Sequence, residues 1–238
     1  MKMQASSLVE LTNWVMARPD TQMFLKYQHL EEENAPRAFM KFIQGPVQDV
    51  VAYTGNPLQQ VTDDIMHGDD DVVYGICDRI HVAHMEIIKW VKLYLDTPKS
   101  KLNNVLDYYG KTGELAFRLG KLTKCRVTYV DQDKYFNYAK FRFRMHGVHY
   151  RVKSVEASAA VPRPDLGDER YGLISMLELP LEVTADWIQW YQDRLFPYGF
   201  VATCASLPLI TDPIPGPFKK VAVLPQIGYI YQLMPETV

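Results

Sequence analysis

The amino-acid order predicts an α+β protein: an all-helical N-terminal half, then an antiparallel β-sheet region with one inserted helix. Three observations carry this expectation. Up to about residue 121, apolar residues recur at steps of three and four, and prolines cut the pattern into pieces. From Lys124 the period changes to two. Around His146-Gly147 the alternation is strict on both sides, as in a hairpin whose two-residue turn uses a glycine at positive φ. The expected domains are 1–121, helical, and 122–238, α+β.

Taken in order, Ser7-Leu-Val-Glu10 has capping-box spacing and opens a helix ending near Ala17. Pro19 restarts the chain for a helix carrying Met23, Phe24 and Tyr27. Pro36, Pro46, Pro57 and Pro98 each precede a helical pattern, where a missing N–H costs nothing, and Gly45, Gly55, Gly68 and Gly110 stand where helices should stop. The longest helix is expected from about Asp70 to Asp96, with Val73, Cys77, Ile80, His84, Ile87, Val91 and Tyr94 as its apolar stripe. A further helix runs near Lys111–Leu122.

Strands follow at 124–131, 138–146 and 148–156, then a loop from Val161 to Glu169 and a buried strand over Gly172–Leu179. Thr184 caps a helix over Ala185–Leu195. Phe200–Ser206, 220–224 and 227–233 read as strands. Four prolines among the eleven residues Leu207–Pro217 exclude regular structure there.

Composition is that of an ordinary globular chain. The net charge of −2 gives no overall bias toward polyanions or acidic surfaces. Locally, Leu122–Glu156 holds eight Lys or Arg against three carboxylates, so a basic surface sits on a mildly acidic body. Three scattered cysteines without CxxC exclude a disulfide framework and a zinc knuckle. The N-terminus lacks the apolar core of a signal peptide, and no apolar run spans a bilayer. The expected location is cytoplasmic or within a soluble assembly, not secreted, with no membrane association.

The expected hairpin sets Arg142 opposite Arg151 and Lys140 opposite Lys153, with Arg144 facing His149. Opposed like charges destabilise a sheet, so this face calls for an anion: a carboxylate, an acidic partner or a phosphate. Lys124 and Arg126 are in phase on the preceding strand. The candidate partner- or anion-binding set is therefore Lys124, Arg126, Lys140, Arg142, Arg144, His149, Arg151 and Lys153. Phe141, Phe143 and Tyr150 fall on the other face of the hairpin, which disfavours nucleic acid, because stacking platforms need rings beside cations. The Pro-rich stretch carries a candidate assembly arm, Leu209, Ile210, Ile214 and Phe218, whose apolar side chains need burial on this chain or a neighbour.

Asp71, Asp78 and His81 share a helix face, the spacing of half a metal site. Helix capping and solvation explain them more simply, and neither metal nor cofactor is expected. Glu31-Glu-Glu-Asn-Ala35 lacks the last acid of the EExxE pattern of helical nucleotide pyrophosphohydrolases, and Gly68 replaces the first acid of their ExxD. Asp71-Val-Val-Tyr-Gly75 has no Pro-Cys nucleophile before it, which excludes the thymidylate synthase pattern. Phosphate-binding glycine loops, the nucleophile elbow and HExxH are all absent. The function expected from these observations is a non-catalytic assembly or adaptor subunit, such as a virus or phage structural component, that contacts protein partners or neighbouring subunits. The alternative is a metal-dependent enzyme acting on nucleotides or nucleic acid.

Overall fold

The computed structural model describes residues 5–17, 35–67, 80–95, 102–158, 164–176, 185–204, 216–224 and 228–234. By contact, the chain divides into two compact units, Met1–His81 and Val82–Val238.

The first unit holds helices α1 (Ala5–Met16), α2 (Ala35–Thr54) and α3 (Leu58–His67). Leu8, Leu11, Val47, Val50, Val61 and Ile65 are buried within it. Pro57 sits just before α3, where its ring suits the helix start. Gly55 ends α2 at φ 73°, its N–H donating to Val51 O. Pro46 differs from expectation, because α2 runs through Gly45-Pro46 without restarting. Burial of Val47 and Val50 outweighs a cost of about 3 kcal/mol for proline in a helix interior.

The second unit begins within α4 (Ile80–Leu95). It continues through β1 (Asn104–Tyr108), α5 (Glu114–Leu122), β2 (Arg126–Asp131), α6 (Asp133–Met145), β3 (Val152–Glu156), β4 (Tyr171–Met176), α7 (Ala185–Arg194), β5 (Leu195–Cys204), β6 (Phe218–Leu224) and β7 (Gly228–Leu233). The seven strands form one sheet in the order β3-β2-β1-β4-β5-β7-β6. β3, β2, β1, β4 and β5 run parallel to one another, and β7 is antiparallel to both β5 and β6.

This is an α/β fold, which corrects the α+β expectation. A strand, Asn104–Tyr108, lies inside the stretch read as helical, and the sheet is mostly parallel. Leu106, Tyr108, Ile174, Met176 and Val201 face one way and pack with Tyr191 of α7. On the other face, the Tyr129 ring meets Phe143 of α6 edge-on at 5.3 Å, and the Trp90 ring of α4 meets Phe200 at 4.5 Å.

The expected 138–146 strand is also corrected, since Asp133–Met145 is helical. Phe136, Ala139 and Phe143 recur at steps of three and four and are all buried. The alternation of Phe and Arg hid that second period. Arg142 does not face a strand partner. It is buried against Glu114 in an ion pair, and its guanidinium lies 4.3 Å from the Phe117 ring centre. Gly147 does take a positive φ, 66°, but as the residue that ends α6, with its N–H donating to Arg144 O. A helix C-terminus and a tight hairpin both demand a left-handed glycine, so that glycine could not separate the two readings.

Candidate functional site

The strand order reverses between β1 and β4: one half of the sheet continues to β2 and β3, the other to β5. In such sheets the loops leaving the two strands diverge, and a crevice opens beyond their carboxyl ends. The loop after β1 is Tyr109-Gly-Lys-Thr-Gly113. Three of its residues are left-handed: Tyr109 (φ 54°), Lys111 (φ 48°) and Gly113 (φ 67°). Two of them are not glycine, and such strain is held only where the surroundings enforce it.

The enforcing contacts are specific. Tyr109 N–H donates to Val130 O at 2.8 Å. Lys111 N–H donates to Asp131 Oδ2 at 2.6 Å, and the Tyr129 hydroxyl donates to Lys111 O at 2.5 Å. The Lys111 backbone is thereby pinned on both sides. Asp131, the last residue of β2, also accepts Gln132 N–H at 2.8 Å.

Beneath the loop lies Asp107, fully buried near the end of β1. Its Oδ2 accepts Ala116 N–H of α5 at 3.1 Å. A Cβ on Gly110 would sit 2.4 Å from that same oxygen, so only glycine fits there. Asp107 Oδ1 has no hydrogen-bond partner among the described residues, nor has Ser175 Oγ, on the residue paired with Asp107 in the adjoining strand. Burial raises the Asp107 carboxyl from its ordinary 3.8 to about 7, opposed by the Ala116 N–H and assisted by the charge of Asp131. Burial and the Asp131 charge push the Tyr109 and Tyr129 phenols up in the same way. The strand ends at the crevice thus hold two carboxyl groups and a hydroxyl without a partner among the described residues, and burial favours the neutral form of Asp107.

None of these residues was among the candidates expected from the sequence. The signal was Val105-Leu-Asp-Tyr-Tyr-Gly-Lys-Thr-Gly113 ahead of a helix, with Asp131 closing an apolar run 21 residues after Gly110. A search for three spaced glycines misses it, because Tyr109 and Lys111 hold left-handed positions.

The expected basic set is split. Lys124, Arg126, His149, Arg151 and Lys153 come together in a recess at the amino-terminal ends of β1, β2 and β3. Lys140 lies on α6 with its ammonium 5.1 Å from the Phe136 ring centre, Arg144 is exposed near the end of α6, and Arg142 is buried. Of the expected arm, Leu209, Ile210 and Ile214 lie outside the described residues. Phe218 opens β6 and packs against Tyr191, ring centres 6.2 Å apart. Asp71 and Asp78 also lie outside the described residues. Among those described, no three His, Cys, Asp or Glu side chains are grouped to hold a metal, and no helix is long and apolar enough to cross a membrane.

No family model and no curated protein matches the chain. Several solved structures do. A methyltransferase from Geobacter sulfurreducens is 13% identical, with 66% of this chain and 90% of that one covered and a TM-score of 0.47. TrmN from Thermus thermophilus is 17% identical, covering 62% and 48%, at 0.45. A SAM-dependent methyltransferase from Thiobacillus denitrificans in complex with S-adenosyl-L-homocysteine is 19% identical, covering 50% and 47%, at 0.40. The match spans about half the length of that last protein.

The assembly-subunit reading, and the virion character that went with it, is corrected by the fold itself. Its premise was a charged hairpin face, but residues 133–145 are helical and Arg142 is neutralised inside the fold. The metal-dependent nucleotide enzyme is not retained either: its helix acids Asp71 and Asp78 lie outside the described residues, and its phosphate-binding face is split, with Lys140, Arg142 and Arg144 on α6 away from the recess.

Proposed function

We propose that the α/β unit binds a nucleoside-bearing cofactor of the S-adenosylmethionine type at the carboxyl ends of β1, β2 and β4, and that it serves methyl transfer. The observation that carries this reading is Asp131. It ends the strand next to β1, 21 residues beyond Gly110, where doubly wound folds place the acid that accepts ribose hydroxyls. The named cofactor comes from the Thiobacillus structure, which holds its demethylated form.

The donor set suits such a ligand. A carboxylate offers about four acceptor positions, and two of those on Asp131 serve the Lys111 and Gln132 amides. Asp107 Oδ1 and Ser175 Oγ supply buried polar atoms without partners among the described residues. Asp131 is only 2% exposed, and Tyr109, whose phenol feels its charge, is half-buried beside it. Entry of a ribose requires Tyr109 to swing aside.

When bound, the cofactor supplies an electrophilic methyl group on a sulfonium. The chain's own contribution is placement. Asp131 orients the ribose, the pinned Lys111 backbone fixes the loop, and Gly110 lets that loop close over Asp107.

Isothermal titration with S-adenosylhomocysteine tests this. The expected outcome is saturable one-to-one binding, with a melting point that rises with ligand, since a ligand at 100 times its Kd adds about 2.7 kcal/mol. Asp131→Asn keeps the shape, removes the charge and weakens binding at least tenfold. Folded wild-type protein that shows neither heat nor thermal shift at millimolar ligand would sink the proposal.

A further inference from the structure

The recess at the opposite edge of the sheet has its own chemistry. It encloses about 720 Å³ at the starts of β1, β2 and β3. Arg126 begins β2 and Asp131 ends it, so the recess lies about 16 Å along the strand from the crevice.

Its charge is only partly compensated within the fold. Lys153 pairs with Glu169 at 3.0 Å, both largely exposed. Lys124 and Arg126 are exposed and have no carboxylate within ion-pair distance among the described residues. Arg151 is held by backbone carbonyls, its Nη1 donating to Thr123 O at 2.5 Å, so its charge is positioned without being neutralised. Its guanidinium also lies 5.3 Å from the centre of the Tyr150 ring. Tyr150 is 71% exposed, a large aromatic side chain left in water beside these cations.

We infer that this recess is a docking surface for single-stranded nucleic acid. Lys124, Arg126 and Arg151 would take successive phosphates while a base stacks on Tyr150. A row of cations with a ring among them is the pairing that single strands use. The expected hairpin put rings and cations on opposite faces. The observed fold puts Tyr150 beside them, which removes that objection. An acidic peptide would satisfy the cations but has no use for an exposed ring. A duplex keeps its bases stacked inside, away from Tyr150. The inference is independent of the cofactor reading.

Fluorescence anisotropy with a labelled twelve-nucleotide single strand tests it, alongside a duplex of the same sequence and polyglutamate. The wild type is expected to prefer the single strand to both competitors, with a salt slope near −2 for about three phosphates. The double variant Lys124→Glu/Arg126→Glu weakens binding at least tenfold and lowers the slope by about 1.4. Tyr150→Ala weakens it at least fivefold and leaves the slope unchanged. Both variants alter exposed side chains and are expected to melt within a few degrees of wild type. If the charge reversal melts lower, Lys124→Gln/Arg126→Gln replaces it under the same criterion. Unchanged affinity in the charge variant, tighter binding of polyglutamate, or a silent Tyr150→Ala each overturns the inference. S-adenosylhomocysteine titrated into the same variants separates the two proposals: its binding should be unaffected, and its absence in wild type leaves the oligonucleotide result standing.

Discussion

Asp107 should make this protein less stable as pH rises from about 4 to neutrality. Its carboxyl is raised from 3.8 to about 7 in the folded state because it is fully buried. The native state therefore holds a proton that the unfolded chain has already lost. Below pH 4 both states are protonated and the group costs nothing. Between about pH 4 and 7 the unfolded state is favoured progressively, and above 7 the cost is constant. A displacement of about three pH units, at about 1.4 kcal/mol each, sets the full cost near 4 kcal/mol. Asp107→Asn removes the titration while keeping an oxygen for the Ala116 N–H. Urea denaturation of both proteins at pH 5, 6, 7 and 8 isolates the effect, because all other groups titrate alike in the two. The stability of wild type minus that of the variant should fall by about 3 kcal/mol from pH 5 to 8. A difference that stays constant within about 0.5 kcal/mol would refute the reasoning.

Two further outcomes follow from packing. Arg142→Ala takes the buried guanidinium away from the buried Glu114 carboxylate and should cost about 3–5 kcal/mol in urea denaturation. Loss of less than about 1 kcal/mol would mean that the pair is not buried in solution. Gly110→Ala drives a methyl group against the Asp107 carboxyl and should lower stability by about 2 kcal/mol or more, an overpacking cost that circular dichroism melts will register. An unchanged melt would place the loop elsewhere.

Sequence period located many of the elements and misread what joins them. The buried strand expected over Gly172–Leu179 coincides with β4 over Gly172–Met176, where Leu173-Ile174 and Met176 form an apolar run bounded by a loop. Burial conceals β1: Val105-Leu-Asp-Tyr108 is short and buried on both faces, so it shows no alternation, and Pro98 suggested a helix instead. With β1 missed, the parallel pairings β1–β2 and β1–β4 could not be anticipated, nor could the crevice they create. For α6, two periods coexist in Tyr138–Met145, and only the burial of Phe143 and Arg142 decides between them. The recess was legible in part. Lys124 and Arg126 are in phase on β2's approach, and Arg151 and Lys153 share the period of β3. That Glu169 would partner one of them depends on a loop 16 residues away.

The most direct test of the proposed site is ultraviolet cross-linking of radiolabelled S-adenosylmethionine to the intact protein, followed by peptide mapping. The account predicts label on peptides containing Tyr109–Gly113 or Asp131–Tyr135, abolished by excess S-adenosylhomocysteine and by Asp131→Asn. Label confined to the basic recess, or competed by an oligonucleotide and not by S-adenosylhomocysteine, would contradict it.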